Sequence, residues 1–172
     1  NRKLIQGLVN QLKINSAKQK LTVIRAIDKL DRIGISGVEQ LLKKGRKDQS
    51  GDFTSGANLS DEQASEVINF LKLKDISDIK NVLTDKLAIE GINEIQKILE
   101  GIKYSGYESQ INFNPTVVRG LEYYTGAIFE ANLTFKVKNL KGKEVEFGSI
   151  GGGGRYDNLV SRFNKIDLPA TG

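Results

Sequence analysis

The chain has 172 residues, 26 Lys+Arg against 21 Asp+Glu, a formal charge of +5 and a pI near 9.3, with no Cys, His, Met or Trp. Those zeros exclude a disulfide framework, a thiol nucleophile, a thiolate or imidazole zinc site and any Ser-His-Asp triad. Hydrophobic residues at 38% and charged residues at 27% describe a folded globular chain rather than a disordered one. No apolar run approaches the roughly 20 residues that cross a bilayer, and no basic-then-apolar leader is visible, so the expectation is a cytoplasmic protein with no membrane contact. The positive charge hints at an anionic partner, although on charge alone a Lys-rich solvated surface is the preferred reading. The missing Met and the unclosed end at Leu168-Pro169-Ala170-Thr171-Gly172 lead to the expectation of a piece of a longer chain.

In chain order, the first 110 residues carry helical periodicity. Leu4, Ile5, Leu8, Val9 and Leu12 form one stripe, and Leu21, Ile24, Ile27 and Leu30 a second, with Ile33 just before Gly34 as a stop. Val38, Leu41 and Leu42 predict a shorter helix ended by Gly45. The polar run Gly45–Gly56, interrupted by three glycines, predicts a loop. Ser60 followed by Gln63 is a capping box, and the helix it starts is predicted to bury Val67, Ile68, Phe70 and Leu71. Further helices are expected over Ile76–Leu87 and Ile89–Ile102, the latter with Ile92, Ile95, Leu99 and Ile102 on one face. These stripes are read as helix-packing core.

From residue 111 the period changes. Ile111-Asn112-Phe113, Val117-Val118 and the run Ala127–Val137 are predicted strands, rich in β-branched and aromatic residues. Asn139–Lys143 contains Gly142 and predicts a hairpin loop, with Glu144–Phe147 as the return strand ending at Gly151–Gly154. Asp157 is expected to cap a short helix carrying Leu159, Val160 and Phe163. The best domain break lies near Ser105-Gly106-Tyr107, and the fold class is α+β.

Three groups of residues are candidates for chemistry. The run Gly151–Gly154 lacks the Gly-Lys-Ser/Thr of a phosphate loop. It offers either a backbone surface free of Cβ atoms to lie against a ligand or a tight strand-to-helix turn. Arg119, in the apolar context Val117-Val118-Arg119-Gly120, is either an exposed edge residue, the preferred reading from physics alone, or a guanidinium fork aimed at a carboxylate or phosphate. Tyr123 and Tyr124 are either flat walls for a small planar ligand or packing residues. The densest basic cluster, Lys43, Lys44, Arg46 and Lys47, is either a phosphate contact or a solvated face.

At this point the residues carry a resemblance. Arg119-Gly120-Leu121-Glu122-Tyr123-Tyr124-Thr125-Gly126, with Phe129-Glu130 close behind, resembles the histidine-binding signature of histidyl-tRNA synthetases, which usually has Asp where Glu122 stands. Gly152-Gly153-Gly154-Arg155-Tyr156-Asp157 is similar to the family's second signature, in the right order and roughly 30 residues on. Leu168–Gly172 resembles the opening of motif 3, and Asn1-Arg2-Lys3-Leu4 the segment just after motif 2. The helical half is similar to the insertion that these class II enzymes carry between the two motifs.

The resemblance implies an antiparallel catalytic sheet preceded by a helical insertion, divided as 1–15, 16–108 and 109–172. It implies activation of L-histidine with ATP to histidyl-adenylate and transfer to the 3′ end of tRNA(His). Mg2+ is expected with ATP as substrate, no protein-ligated metal is expected, and the full-length enzyme is expected to be a homodimer. By match, Arg119 is the catalytic cation at the carboxylate and α-phosphate. Tyr123, Tyr124, Tyr156, Gly152, Gly153 and Gly154 line the histidine pocket, and Glu122, Thr125, Gly126 and Glu130 support it. Lys43, Lys44, Arg46 and Lys47 would face tRNA. The reaction needs no imidazole base, because the attacking carboxylate is already ionised. The chain alone, without the motif 2 arginine, is expected to be inactive. The rivals are a synthetase-like regulatory subunit of ATP phosphoribosyltransferase, a synthetase-like sensor module within a kinase, and an unrelated α+β binding domain.

Overall fold

Asn1 opens the first helix with its own side chain, whose oxygen accepts the Lys3 N–H at 2.9 Å. That helix, α1 (Arg2–Gln11), buries Leu4, Ile5, Leu8 and Val9, the predicted stripe. The computed structural model describes residues 1–120, 123–145 and 147–172. Leu121 and Glu122 of the first signature, and Glu146 of the predicted return strand, lie outside the described residues.

Helix α2 (Ala17–Asp28) starts on Ser16, whose hydroxyl accepts from the Gln19 N–H. Helix α3 (Leu30–Leu42) is broken at Gly34, whose φ of 66° and ψ of 177° are not helical. The expected stop is therefore a kink, after which the chain turns directly into the Val38–Leu42 helix. The polar stretch after it is not the predicted loop. Strands β1 (Gly45–Lys47) and β2 (Phe53–Ser55) pair antiparallel, Arg46 opposite Thr54. Their turn is closed by the Asp48 carboxylate, which accepts the N–H groups of Ser50 and Asp52. Backbone pairing and this turn make the hairpin, and neither needs the apolar alternation that marks a buried strand.

Helix α4 (Asp61–Lys72) begins on the predicted capping box, with Ser60 and Gln63 bonded in both directions. It buries Val67, Ile68, Phe70 and Leu71 as expected. The two helices predicted over Ile76–Leu87 and Ile89–Ile102 both form, with the break between them a few residues earlier than expected. α5 (Ile76–Val82) ends early, and Asp85 caps α6 (Lys86–Tyr104) by accepting from Leu87 and Ala88. A carboxylate that caps a new helix cannot also lie inside the old one.

Helices α1 and α6 pack closely against each other. A Cβ on Gly7 would lie 2.5 Å from Ala88 Cβ, and one on Gly91 would lie 2.9 Å from Lys3 Cβ, so both crossings need glycine. The Lys3 ammonium donates to Glu94 at 2.7 Å and the Asn1 amide donates to the same carboxylate at 2.9 Å. The main core runs through α1–α6, with Phe70, Leu4, Ile27, Leu42 and Ile92 fully buried, and Val118 joins it from the later part of the chain. Each such side chain contributes about 1.5–3 kcal/mol of burial energy.

Beyond α6 the strands are short. β3 (Ile128–Asn132) pairs antiparallel with β6 (Ser149–Gly154), and β4 (Val137–Lys138) with β5 (Glu144–Val145). The Asn139–Lys143 loop is the expected hairpin, closed by the Asn139 side-chain oxygen, which accepts from Lys141 and Lys143. The single strand expected over Ala127–Val137 is interrupted between β3 and β4. Ile111–Phe113 and Val117–Val118 form no strand and pair with none among the described residues. Between them Asn114 makes a local turn by accepting from Thr116, and Pro115 has no N–H to give a ladder.

Two further expectations are corrected. The glycine run is not a strand-to-helix turn but the pairing strand β6 itself. Asp157 caps no helix: α7 (Ser161–Asn164) has no side-chain cap, because the Asp157 carboxylate is engaged by Thr125 and Arg155.

Candidate functional site

The β3–β6 ladder joins the two signatures. Its register sets Glu130 opposite Gly152, Phe129 opposite Gly153 and Ile128 opposite Gly154. Arg119 comes to this ladder through Glu130, donating from Nε and Nη2 to the two carboxylate oxygens, each at 3.2 Å. This fork-to-fork pair is the geometry in which a guanidinium is most strongly held. The Arg119 side chain is 45% exposed and Glu130 only 11%. Donating to the Glu130 carboxylate raises the Arg119 pKa, burial opposing it, so the cation persists at every physiological pH. Arg119 is thus half-exposed, as the edge reading expects, and its fork is held by the chain's own Glu130.

The tyrosines pack as a group on glycine. The rings of Tyr123 and Tyr124 lie 4.4 Å apart at 55°, and those of Tyr124 and Tyr156 6.4 Å apart at 44°. Gly120, at φ 65°, sits where a Cβ would run into the Tyr124 ring. A Cβ on Gly154 would lie 2.9 Å from the Tyr124 ring edge and 2.6 Å from the Ala127 carbonyl oxygen. The ring of Tyr124 thus lies between the glycines of the two signatures. A Cβ on Gly152 would meet nothing nearer than the Phe129 carbonyl oxygen at 3.4 Å. Gly152 is open to solvent, and its packing does not require glycine.

A second clip closes the site. Thr125 donates its N–H to the Arg155 carbonyl at 2.8 Å and its hydroxyl to the Asp157 carboxylate at 2.8 Å, and the Asp157 N–H donates back to that hydroxyl at 3.1 Å. Arg155 donates Nε to Asp157 at 2.9 Å. Burial raises the Asp157 pKa, but the hydrogen bonds from Thr125 and Arg155 and the Arg155 charge outweigh it, and the net shift is downward. Gly126 accepts the Arg2 N–H at 2.9 Å, which ties the first signature to the start of α1. On the far edge of β6, Gly154 and Gly172 exchange backbone hydrogen bonds at 2.8 and 3.2 Å, and Tyr156 donates to Ala170.

The family profile described as Histidyl-tRNA synthetase matches residues 2–172. The chain belongs to the histidyl-tRNA synthetase family. It is 54% identical over 174 residues to a histidine–tRNA ligase of Pelagibacter ubique (strain HTCC1062) and 48% identical over 181 residues to one of Rhizobium meliloti (strain 1021). All of this chain is covered, against 37% and 36% of the two relatives, so the chain spans a little over a third of their length. Two solved structures share the fold. The crystal structure of histidyl-tRNA synthetase from Nostoc sp. PCC 7120 has a TM-score of 0.75 at 24% identity, covering 99% of this chain and 37% of its own. An ATP phosphoribosyltransferase regulatory subunit/histidyl-tRNA synthetase from Bacillus halodurans C has a TM-score of 0.71 at 21% identity, covering 99% of this chain and 39% of its own.

Within this member of the histidyl-tRNA synthetase family the four residues of the basic cluster sit in different surroundings. Lys43 is committed to two carboxylates, Glu39 at 2.9 Å and Asp61 at 2.8 Å. Lys44 and Lys47 are exposed. Arg46, on β1, lines a cavity of about 190 Å³ with Lys29 and Arg32, and its Nε is buried with no hydrogen-bond partner. Sequence reasoning missed Lys29 and Arg32 because α3 and the hairpin bring them to Arg46 only in three dimensions. It also missed Arg2, which with Tyr123 and Tyr124 lines a pocket of about 390 Å³. The residues described contain no group of three or more Asp or Glu that would hold a metal ion, and no helix long and apolar enough to cross a membrane.

Proposed function

We propose that this chain is the insertion and histidine-pocket portion of a histidine–tRNA ligase, with residues 1–15 and 109–172 belonging to the catalytic unit and 16–108 to the helical insertion. The complete protein condenses L-histidine with ATP. A carboxylate oxygen of histidine attacks the α-phosphorus, the bond to the β-phosphate oxygen breaks, and pyrophosphate leaves. The terminal ribose hydroxyl of tRNA(His) then attacks the histidyl carbonyl, and AMP leaves. The observation that carries this reading is the meeting of both signatures, with Glu130 opposite Gly152, Tyr124 packed against Gly154 and Thr125 bonded to Asp157.

Arg119 supplies a fixed positive charge against the negative charge that builds on the α-phosphate, and Glu130 holds the fork in place beforehand. Tyr123, Tyr124 and Tyr156 form flat walls for the imidazole, with Gly152, Gly153 and Gly154 behind them. Mg2+ accompanies the ATP phosphates and neutralises part of their charge. Lys44, Arg46 and Lys47 face the tRNA, and the complete enzyme works as a cytoplasmic homodimer. A regulatory subunit of ATP phosphoribosyltransferase is the second reading, since a structural neighbour from Bacillus halodurans C carries that name as well. Relatives at 42–54% identity over the whole chain are named as ligases, which favours the first.

The test is histidine-dependent ATP–pyrophosphate exchange by the complete protein. Exchange in the wild type, reduced about 10²–10³-fold in Arg119→Ala, is the expected result. Absence of exchange in the wild type, with retained binding to ATP phosphoribosyltransferase, would establish the second reading.

A further inference from the structure

A pocket of about 390 Å³ lies between the start of α1, the first part of α2 and the chain following the second signature. Pockets of this size hold small metabolites. Tyr123 and Tyr124 line it, and the charged residues in its lining are all cations: Arg2, Lys20 and Arg162. Arg2 is the unusual member. It is 4% exposed, and its Nη1 is buried with no hydrogen-bond partner. A guanidinium that deep costs free energy unless an acceptor meets it. Burial lowers the Arg2 pKa, and the charge of Asp28, outside the pocket lining, offsets this only in part. Lys20 donates to the neutral side-chain oxygen of Asn10 at 3.0 Å, which leaves its charge uncompensated by that bond. The Arg2 N–H donates to Gly126 at 2.9 Å, which fixes this residue beside the first signature. Arg119, by contrast, gives its fork to Glu130.

We propose that Arg2 and Lys20 bind the anionic group, carboxylate or phosphate, of the small ligand that lies against Tyr123 and Tyr124. The inference rests on the ligase reading, whose two small substrates supply these anions: histidine a carboxylate and ATP its phosphates. It makes Arg2 a binding residue of the site, more than a hundred positions ahead of either signature.

The experiment uses the complete protein as wild type, Arg2→Gln, Arg2→Lys and Lys20→Gln, titrated calorimetrically with L-histidine, with L-histidinol and with ATP. Histidinol keeps the imidazole and amine but has no carboxylate. If Arg2 meets the carboxylate, Arg2→Gln weakens histidine about 10–100-fold, the range of a lost charge-assisted hydrogen bond, and histidinol less than about twofold. If it meets phosphate, ATP weakens by that factor while histidine and histidinol hold. Arg2→Lys recovers part of the loss in either case. A folded Arg2→Gln that leaves all three affinities within about twofold, or weakens histidine and histidinol alike with ATP unchanged, overturns the proposal. If Arg2→Gln does not fold, Lys20→Gln decides. Loss of about 3–10-fold for histidine over histidinol, or for ATP, at unchanged melting temperature supports the site, and unchanged affinities overturn it. A wild type that binds neither histidine nor ATP overturns the ligase reading and this inference together. Binding without dependence on Arg2 or Lys20 overturns this inference alone.

Discussion

Thr125 and Asp157 are 32 positions apart and each belongs to a different signature, so their mutual hydrogen bonds test whether the two motifs act as one unit. Asp157→Asn removes the charge that holds both the Thr125 hydroxyl at 2.8 Å and Arg155 Nε at 2.9 Å. Hydrogen bonds to charged groups are worth about 1.5–3 kcal/mol. The Arg155 side chain is 50% exposed and Asp157 32%, and solvent screening brings the expected loss down to about 1–2 kcal/mol. Thr125→Val removes the shared hydroxyl and costs about 1 kcal/mol. If the clip is a unit, the double variant loses less than the sum by about 0.5–1 kcal/mol. The assay is native-state hydrogen exchange of the Arg155 amide, which donates to Ala127 at 2.9 Å between the two residues and reports local opening. Losses that add within about 0.3 kcal/mol refute the coupling. The same amide gives a pH test. The folded Asp157 pKa is depressed, so its contribution is complete above the ordinary carboxylate pKa and is lost as pH falls through the folded value. Protection in the wild type should therefore fall toward that of Asp157→Asn on acidification, and identical pH profiles for the two would contradict the assignment.

Gly154→Ala places a methyl 2.6 Å from the Ala127 carbonyl and 2.9 Å from the Tyr124 ring. It is expected to cost about 1–3 kcal/mol by overpacking and to weaken histidine binding by displacing Tyr124. Gly152→Ala, 3.4 Å from its nearest neighbour, is expected to be tolerated in the fold, and equal melting temperatures for the two variants would refute the difference. Charge reversal at Lys44, Arg46 and Lys47 in the complete protein is expected to lower tRNA affinity and reduce the salt slope by about one per lost phosphate contact. Reversal at Lys43, already held by Glu39 and Asp61, should do less, and gel-shift titrations at several salt concentrations separate the two outcomes.

How far the sequence reached depended on whether a feature is carried by neighbours along the chain. The capping box at Ser60, the buried stripe of α4 and the Asn139 hairpin are local, and each formed as its residues predict. The signatures were legible because a binding motif keeps residue types at fixed spacing, and they led to the family that residues 2–172 match. Where one residue faces two local possibilities, neighbours do not decide. Asp157 could cap a helix or bond Thr125, and Asp85 could sit inside a helix or begin one. Polar strands such as Arg46-Lys47 and the glycine run carry no period to read, because pairing uses backbone groups that every residue has.

By itself, then, the sequence determined the α+β class, the helical core stripes and the identity of the candidate site residues, all properties of residue type and spacing. Only the tertiary structure decided which charges meet. It gave the Arg119 fork to Glu130 and Lys43 to Glu39 and Asp61. It brought Arg46 to Lys29 and Arg32, and left Arg2 Nη1 without a hydrogen-bond partner in a residue that lines the tyrosine pocket. Electrostatic partners are chosen by distance in space, and a linear order of residues does not contain those distances until the chain is packed.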